Sequence, residues 1–246
     1  MARAALALLP VLLLAGCFSE ILTPVPDSVL AFTCAVLDPA VADRVEVEPW
    51  SAAGVELDAG RALEALRGEL QAITGRPSAS VVVFPEREGP TVPSGGWTPE
   101  RVTSWGQQHV FLEDRSVTLS VFLVPSLGEN ATGASGPGVV ALAEDAVEAI
   151  ADRLDVSPLD VARVVLLHHA GHALGAVNRG IPVQDPTIQV WEGPPGHEPD
   201  PASVMNVGWE DADEAAWAPG AGYFAYSDGL RRDWAAATGP QGVCNA

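Results

Sequence analysis

The stretch that most constrains this chain is SPLDVARVVLLHHAGHALG, residues 157–175. Ser157 is a helix-capping residue, Pro158 suits the first helical position, and Asp160 complements the positive end of the helix dipole. From Leu159 to Leu167 the sequence is an almost unbroken apolar run. A helix of that kind, polar only at Asp160 and Arg163, is expected to be buried on most sides. Gly175 can take the left-handed conformation that turns the chain sharply at its end. Upstream, Leu63, Leu66, Leu70 and Ile73 mark one face of a helix that Asp58 can cap and that Gly75 and Pro77 stop. SVVVF at 80–84 reads as a short buried strand. The Pro- and Gly-rich residues 85–108 read as a long loop or insertion. Residues 109–124 read as a hairpin turning near Glu113–Arg115, NATGASGPG as a loop, VVALA as a further strand, and about 144–154 as a helix. There is no internal repeat. The order helix, strands, helix, buried helix describes one α+β domain and not a doubly wound parallel sheet.

The chain has 246 residues, 48% of them hydrophobic and 18% charged, a globular composition. Thirteen arginines stand against thirty-two acids, a formal charge of -19, which repels nucleic acid and anionic lipid headgroups. Residues 1–16 form a leader: Arg3 is its positive start and AALALLPVLLLA its apolar part, too short to span a bilayer stably. It ends in LLAGC, which resembles the bacterial lipobox. That resemblance implies removal of the leader and diacylation of Cys17; the alternative is an ordinary secretory leader with a chance cysteine. No later stretch reaches eighteen apolar residues, so the expectation is a protein anchored to a membrane in the bacterial cell envelope. Phe18, where an aspartate is associated with inner-membrane retention, points to the outer membrane. Residues 17–54, rich in proline and acids, are expected to be an acylated N-terminus and tether, with the domain at 55–246. Cys34 and Cys244 remain; in an oxidising compartment they form a bridge, and otherwise they are two free thiols.

Four of the five histidines fall within thirty residues: His168, His169, His172 and His197. On a helix His168 and His172 lie one turn apart on the same face and can share one metal ion, whereas His169 points about 100° away. Such imidazole pairs suit zinc, which takes a tetrahedral set of nitrogen, sulfur or oxygen ligands; a catalytic zinc needs three protein ligands and one open position.

HHAGHALGAVN resembles the metzincin signature HExxHxxGxxH, matching at His168, His172 and Gly175. SVMN, 203–206, resembles the metzincin Met-turn, with Met205 beneath the metal. The resemblance implies a metzincin-like zinc peptidase fold over about residues 55–240: a twisted mixed β-sheet, an active-site helix, the Met-turn, and a C-terminal helix for which SDGLRRDWAAATG at 227–239 fits. It also implies Zn2+ as cofactor and an extended peptide or protein as substrate or ligand. Two positions depart from the signature. Asn178 occupies the third-ligand position, and an amide is a poor zinc ligand. His197, eight residues before Met205, is the better candidate, ahead of Asn178 and Asp185; GAVNRGIPV together with that histidine resembles a subgroup of bacterial exported metzincin-like proteins. His169 occupies the position of the glutamate that serves as general base. Either it works as a base itself, or it marks a weakened or inactive enzyme that holds peptide or metal without cutting. Tryptophans 97, 105, 191, 209 and 217 either line a peptide cleft or pack in the core and at its rim.

Overall fold

Nearly all of SVTLSVFLV, the longest strand, is buried, and the sheet forms around it. A computed structural model describes residues 27–110, 112–113, 115–128, 131–177, 179–184, 196–206, 208, 217 and 225–245. The strands are β1 (Arg44–Ser51), β2 (Val81–Val83), β3 (Arg87–Glu88), β4 (Leu112–Glu113), β5 (Ser116–Val124), β6 (Gly133–Gly136) and β7 (Val139–Ala143). They form one sheet in the order β2-β1-β5-β7-β6, with β3 added to β1 and β4 to β5. Pairing is parallel except for the short β4 against β5 and the edge strand β6 against β7. The fold is α+β, as its composition of elements implied, but the sheet is mostly parallel. A strand buried on both faces reads as a continuous apolar run, the pattern of β7 and of Val121–Val124 in β5.

The helices are α1 (Asp27–Leu37), α2 (Gly60–Thr74), α3 (Pro99–Gln107), α4 (Glu144–Leu154), α5 (Pro158–Ala173) and α6 (Asp228–Ala237). Strand alternation divides the core in two. Val45 and Val47 of β1, Val117, Leu119, Val121 and Leu123 of β5, and Val140 and Leu142 of β7 face α2 and α5 in the larger cluster. Phe122, Val124, Ala141 and Ala143 point the other way, against Trp97 and Val102 of the α3 segment. α3 packs so closely that a Cβ on Gly106 would lie 2.5 Å from a Val139 methyl.

Three expectations need correction. Residues 27–54 are not a tether: α1 joins the core, and β1 is an inner strand between β2 and β5. The 85–108 segment contains β3 and α3, whose cap Thr98 accepts from the Arg101 amide with Pro99 at the first position. The NATGASGPG stretch includes β6, which takes its structure from pairing with β7. The helix at 144–154, α2 and the capped α5 lie where the pattern put them, but the residue at the N-cap of α2 is Ala59, without a side-chain cap, and Asp58 accepts instead from the Gly60 amide at 2.9 Å. Cys34 and Cys244 are joined by a disulfide that closes a loop of 210 residues and ties α1 to the C-terminal turn. The leader, Cys17, Asn178, Asp185, Trp191 and Trp209 lie outside the described residues.

Candidate metal centre

α5 carries two of the three clustered histidines, and its ends are held as capped helices should be. Ser157 Oγ accepts from the Leu159 amide, and every residue from Val164 to Ala173 is buried. At the other end Gly175 has φ 70°; its amide donates to the His172 carbonyl, and the Ala176 amide donates to the Gly171 carbonyl. Val177, with φ 52°, continues the reversal at a cost for a β-branched residue.

The chain then returns so that His197 meets the helix. One nitrogen from each of His168, His172 and His197 lies within 4.8 Å of the others, and all three rings are buried. His168 Nδ1 lies 2.8 Å from the Val204 carbonyl, to which it donates, so Nε2 carries the lone pair. That Nε2 is 3.2 Å from His172 Nε2. Two ligands of a tetrahedral zinc, each about 2.05 Å from the ion, are about 3.3 Å apart. The His168–His172 pair therefore already has ligand spacing, and closing the third ring onto the same ion requires a shift of at most about 1.5 Å. The residues present fit a metal ion, and this set of three imidazoles suits zinc among others.

Burial sets the protonation of the cluster. His168 is pushed down to about 4, first by desolvation and then by the charge a protonated His197 would carry, against which the bond to Val204 works only in part. His169 and His172 are driven well below the ordinary imidazole range, again by burial first and His168 second. Neutral imidazole is the form that binds a metal.

Met205 packs against the helix that carries the histidine pair. A Cβ on Gly171 would lie 2.3 Å from Met205 Sδ and 3.0 Å from the Tyr226 ring, so only glycine lets the turn come this close to α5. The Tyr226 hydroxyl donates to the Leu167 carbonyl at 2.6 Å. The 203–206 turn is fastened to its surroundings by Glu198, which is 1% exposed. The Glu198 amide donates to the Met205 carbonyl at 3.2 Å, and Asn206 Nδ2 donates to the Glu198 carbonyl at 2.9 Å. Its carboxylate accepts from Ser203 Oγ and, at 2.8 Å, from Ser227 Oγ, the cap of α6.

His169 lies off the cluster. Its ring is 5.3 Å from that of His168 and 6.2 Å from that of His172, centroid to centroid. Its Cδ2–Nε2 edge is pressed against β6, where a Cβ on Gly133 would lie 2.4 Å from Cδ2, and its Nδ1 has no hydrogen-bond partner among the described residues. Gly196, with φ 81°, leaves room for both the Arg179 guanidinium and His172. Of the tryptophans, Trp97 is buried against Phe122, Trp105 stacks half-buried on Phe122 and His109, and Trp217 is buried in the larger core. Sequence reasoning passed over Glu198, Gly171 and Gly133. The only sequence signals were an acid next to a candidate ligand and a glycine inside a helix. Comparison of the chain with known protein families, characterised proteins and solved structures gives no match.

Proposed function

We propose that the protein is a metzincin-like zinc metallopeptidase of the bacterial cell envelope, held to the outer membrane through an acylated Cys17, with hydrolysis weakened because His169 replaces the general-base glutamate. The observation that carries this reading is the convergence of His168, His172 and His197, with the Nε2 atoms of the helical pair at zinc-ligand spacing and Met205 packed against the same helix at Gly171. The order of elements supports it as well: a sheet ending in one antiparallel edge strand, a buried helix bearing the histidine pair, the methionine turn, then α6. β6 lies next to α5, so an extended peptide added along its outer edge would pass beside the cluster.

A zinc ion in this site would acidify a bound water and polarise a peptide carbonyl. The chain's own residues set the rest. Val204 fixes the His168 tautomer, Glu198 fastens the turn that bears Val204 and Met205, and burial excludes bulk water. His169 offers one buried nitrogen, Nδ1, to a proton, and its burial opposes accepting one. That observation favours a second reading, an inactive pseudopeptidase that binds peptide or metal. Loss of a positioned base costs about 10²–10⁴-fold in rate.

The test is chelator-sensitive cleavage of a broad peptide set by the native protein, His169→Glu and His169→Ala. In the weakened-enzyme reading native cleavage is slow, His169→Glu raises it, and His169→Ala retains zinc. Native cleavage at an ordinary metallopeptidase rate, lost in His169→Ala, would make His169 a working base. No cleavage by any form, with zinc bound, would leave the binding reading. Replacing Cys17 with serine should abolish lipid labelling, and persistent labelling would remove the anchor from the account.

A further inference from the structure

Three segments that are separate in sequence meet on a single buried carboxylate. Glu198 follows His197 directly and shares its buried loop. Its backbone amide and carbonyl are bonded to Met205 and Asn206, and its carboxylate takes hydroxyl hydrogen bonds from Ser203 of the turn and Ser227 at the start of α6. Ser203 Oγ in turn accepts from the Met205 amide at 3.2 Å. Burying a carboxylate costs several kcal/mol unless hydrogen bonds compensate it, so this residue type is expensive to place here for packing alone. Its neighbours supply a reason. His197 is the candidate ligand on a loop, with no helix to fix its direction. We infer that Glu198 is a positioning residue for His197: it locks the loop to the methionine turn and to α6. The inference rests on the metal-centre reading proposed above.

The test measures zinc affinity of the full chain by chelator competition, together with the visible spectrum of the cobalt-substituted protein, for Glu198→Ala and Glu198→Gln. Each is made in the native and the His197→Ala background. Glu198→Ala in the native background should weaken zinc binding about 10–100-fold and reduce the tetrahedral cobalt bands. Glu198→Gln, which keeps the shape and an acceptor oxygen, should recover most of that loss. In the His197→Ala background, Glu198→Ala should change the residual affinity by less than about threefold, because contacts acting through one ligand are not additive. An equal loss in both backgrounds, or no loss in the native one, would overturn the inference by reducing Glu198 to general packing. Should Glu198→Ala fail to fold, Ser227→Ala removes one of the carboxylate's partners and should weaken zinc binding about threefold; unchanged affinity there would also overturn it. A native protein that takes up neither zinc nor cobalt would instead fail the metal centre itself.

Discussion

Gly171 is the position where helix chemistry and the site pull in opposite directions, and Gly171→Ala separates them. In an exposed helix the change would stabilise by about 1 kcal/mol, because alanine gives up less backbone entropy than glycine. Here the new Cβ would lie 2.3 Å from Met205 Sδ. Ordinary contact begins near about 3.5 Å, so Met205, which is fully buried, must retreat by about 1.2 Å or more. Overpacking of that kind typically costs about 1–3 kcal/mol. The net effect in the native background should be destabilisation by about 1 kcal/mol. In a Met205→Ala background the sulfur is gone and the Tyr226 ring, 3.0 Å from the new Cβ, needs to give only a few tenths of an ångström. There the same substitution should stabilise, and the two effects should differ by about 2 kcal/mol, the coupling expected of residues in contact. Urea unfolding of the four proteins measures it. The retreat of Met205 also disturbs the adjoining Val204 carbonyl that orients His168, so zinc affinity should fall with stability in the native background. If Gly171→Ala stabilises equally in both backgrounds, the turn does not press on α5 as described.

Arg76 is buried and donates to the carbonyls of Ala35, Val36 and Ala42, closing the C-terminal end of α1; Arg76→Ala leaves those acceptors unpaired and should cost about 3 kcal/mol, a fall of about 6–12 °C in Tm by calorimetry. In the metal-free protein His168 titrates near 4 in the folded state against 6.5 unfolded, so the unfolded chain binds more protons between those values. Stability is therefore complete above about pH 6.5 and falls as pH drops, by about 3 kcal/mol from His168 alone, with His169 and His172 adding in the same direction. A pH series of urea midpoints checks this, and a flat profile from 7 to 5 would contradict it. Reducing the Cys34–Cys244 bond should remove up to about 5 kcal/mol of stability, read from the urea midpoint, because the loop it closes is 210 residues long.

What could be read from sequence was what is local. The caps of α5, its apolar run and its terminating glycine act within a turn or two, so helix, ends and histidine spacing were all legible. β1 was not, although RVEVEPW alternates. Pro49 and the surrounding acids made it read as tether. The fold resolves that conflict: the Phe84 amide meets the Val47 carbonyl and the Gly89 amide meets Ser51, so Pro49 faces the interval where β2 has ended and β3 has not begun. Its missing N–H is not called on there. β6, GASG, has no strand propensity of its own, and its conformation comes from β7 beside it and the His169 ring above. The same divide runs through the site. The His168–His172 pair follows from helix periodicity, whereas Glu198 reveals its part only once the turn and α6 are folded against it.

The most direct test is metal content of the soluble domain from residue 18, purified without added metal and then titrated with zinc, for the native chain and the single histidine variants. The account predicts one tightly held zinc per native chain. It predicts loss of binding in His168→Ala and His172→Ala, nearly as large a loss in His197→Ala, and retention in His169→Ala and Asn178→Ala. A His197→Ala protein that keeps stoichiometric zinc while Asn178→Ala loses it would contradict the ligand set, and a native chain that binds no metal would contradict the centre altogether.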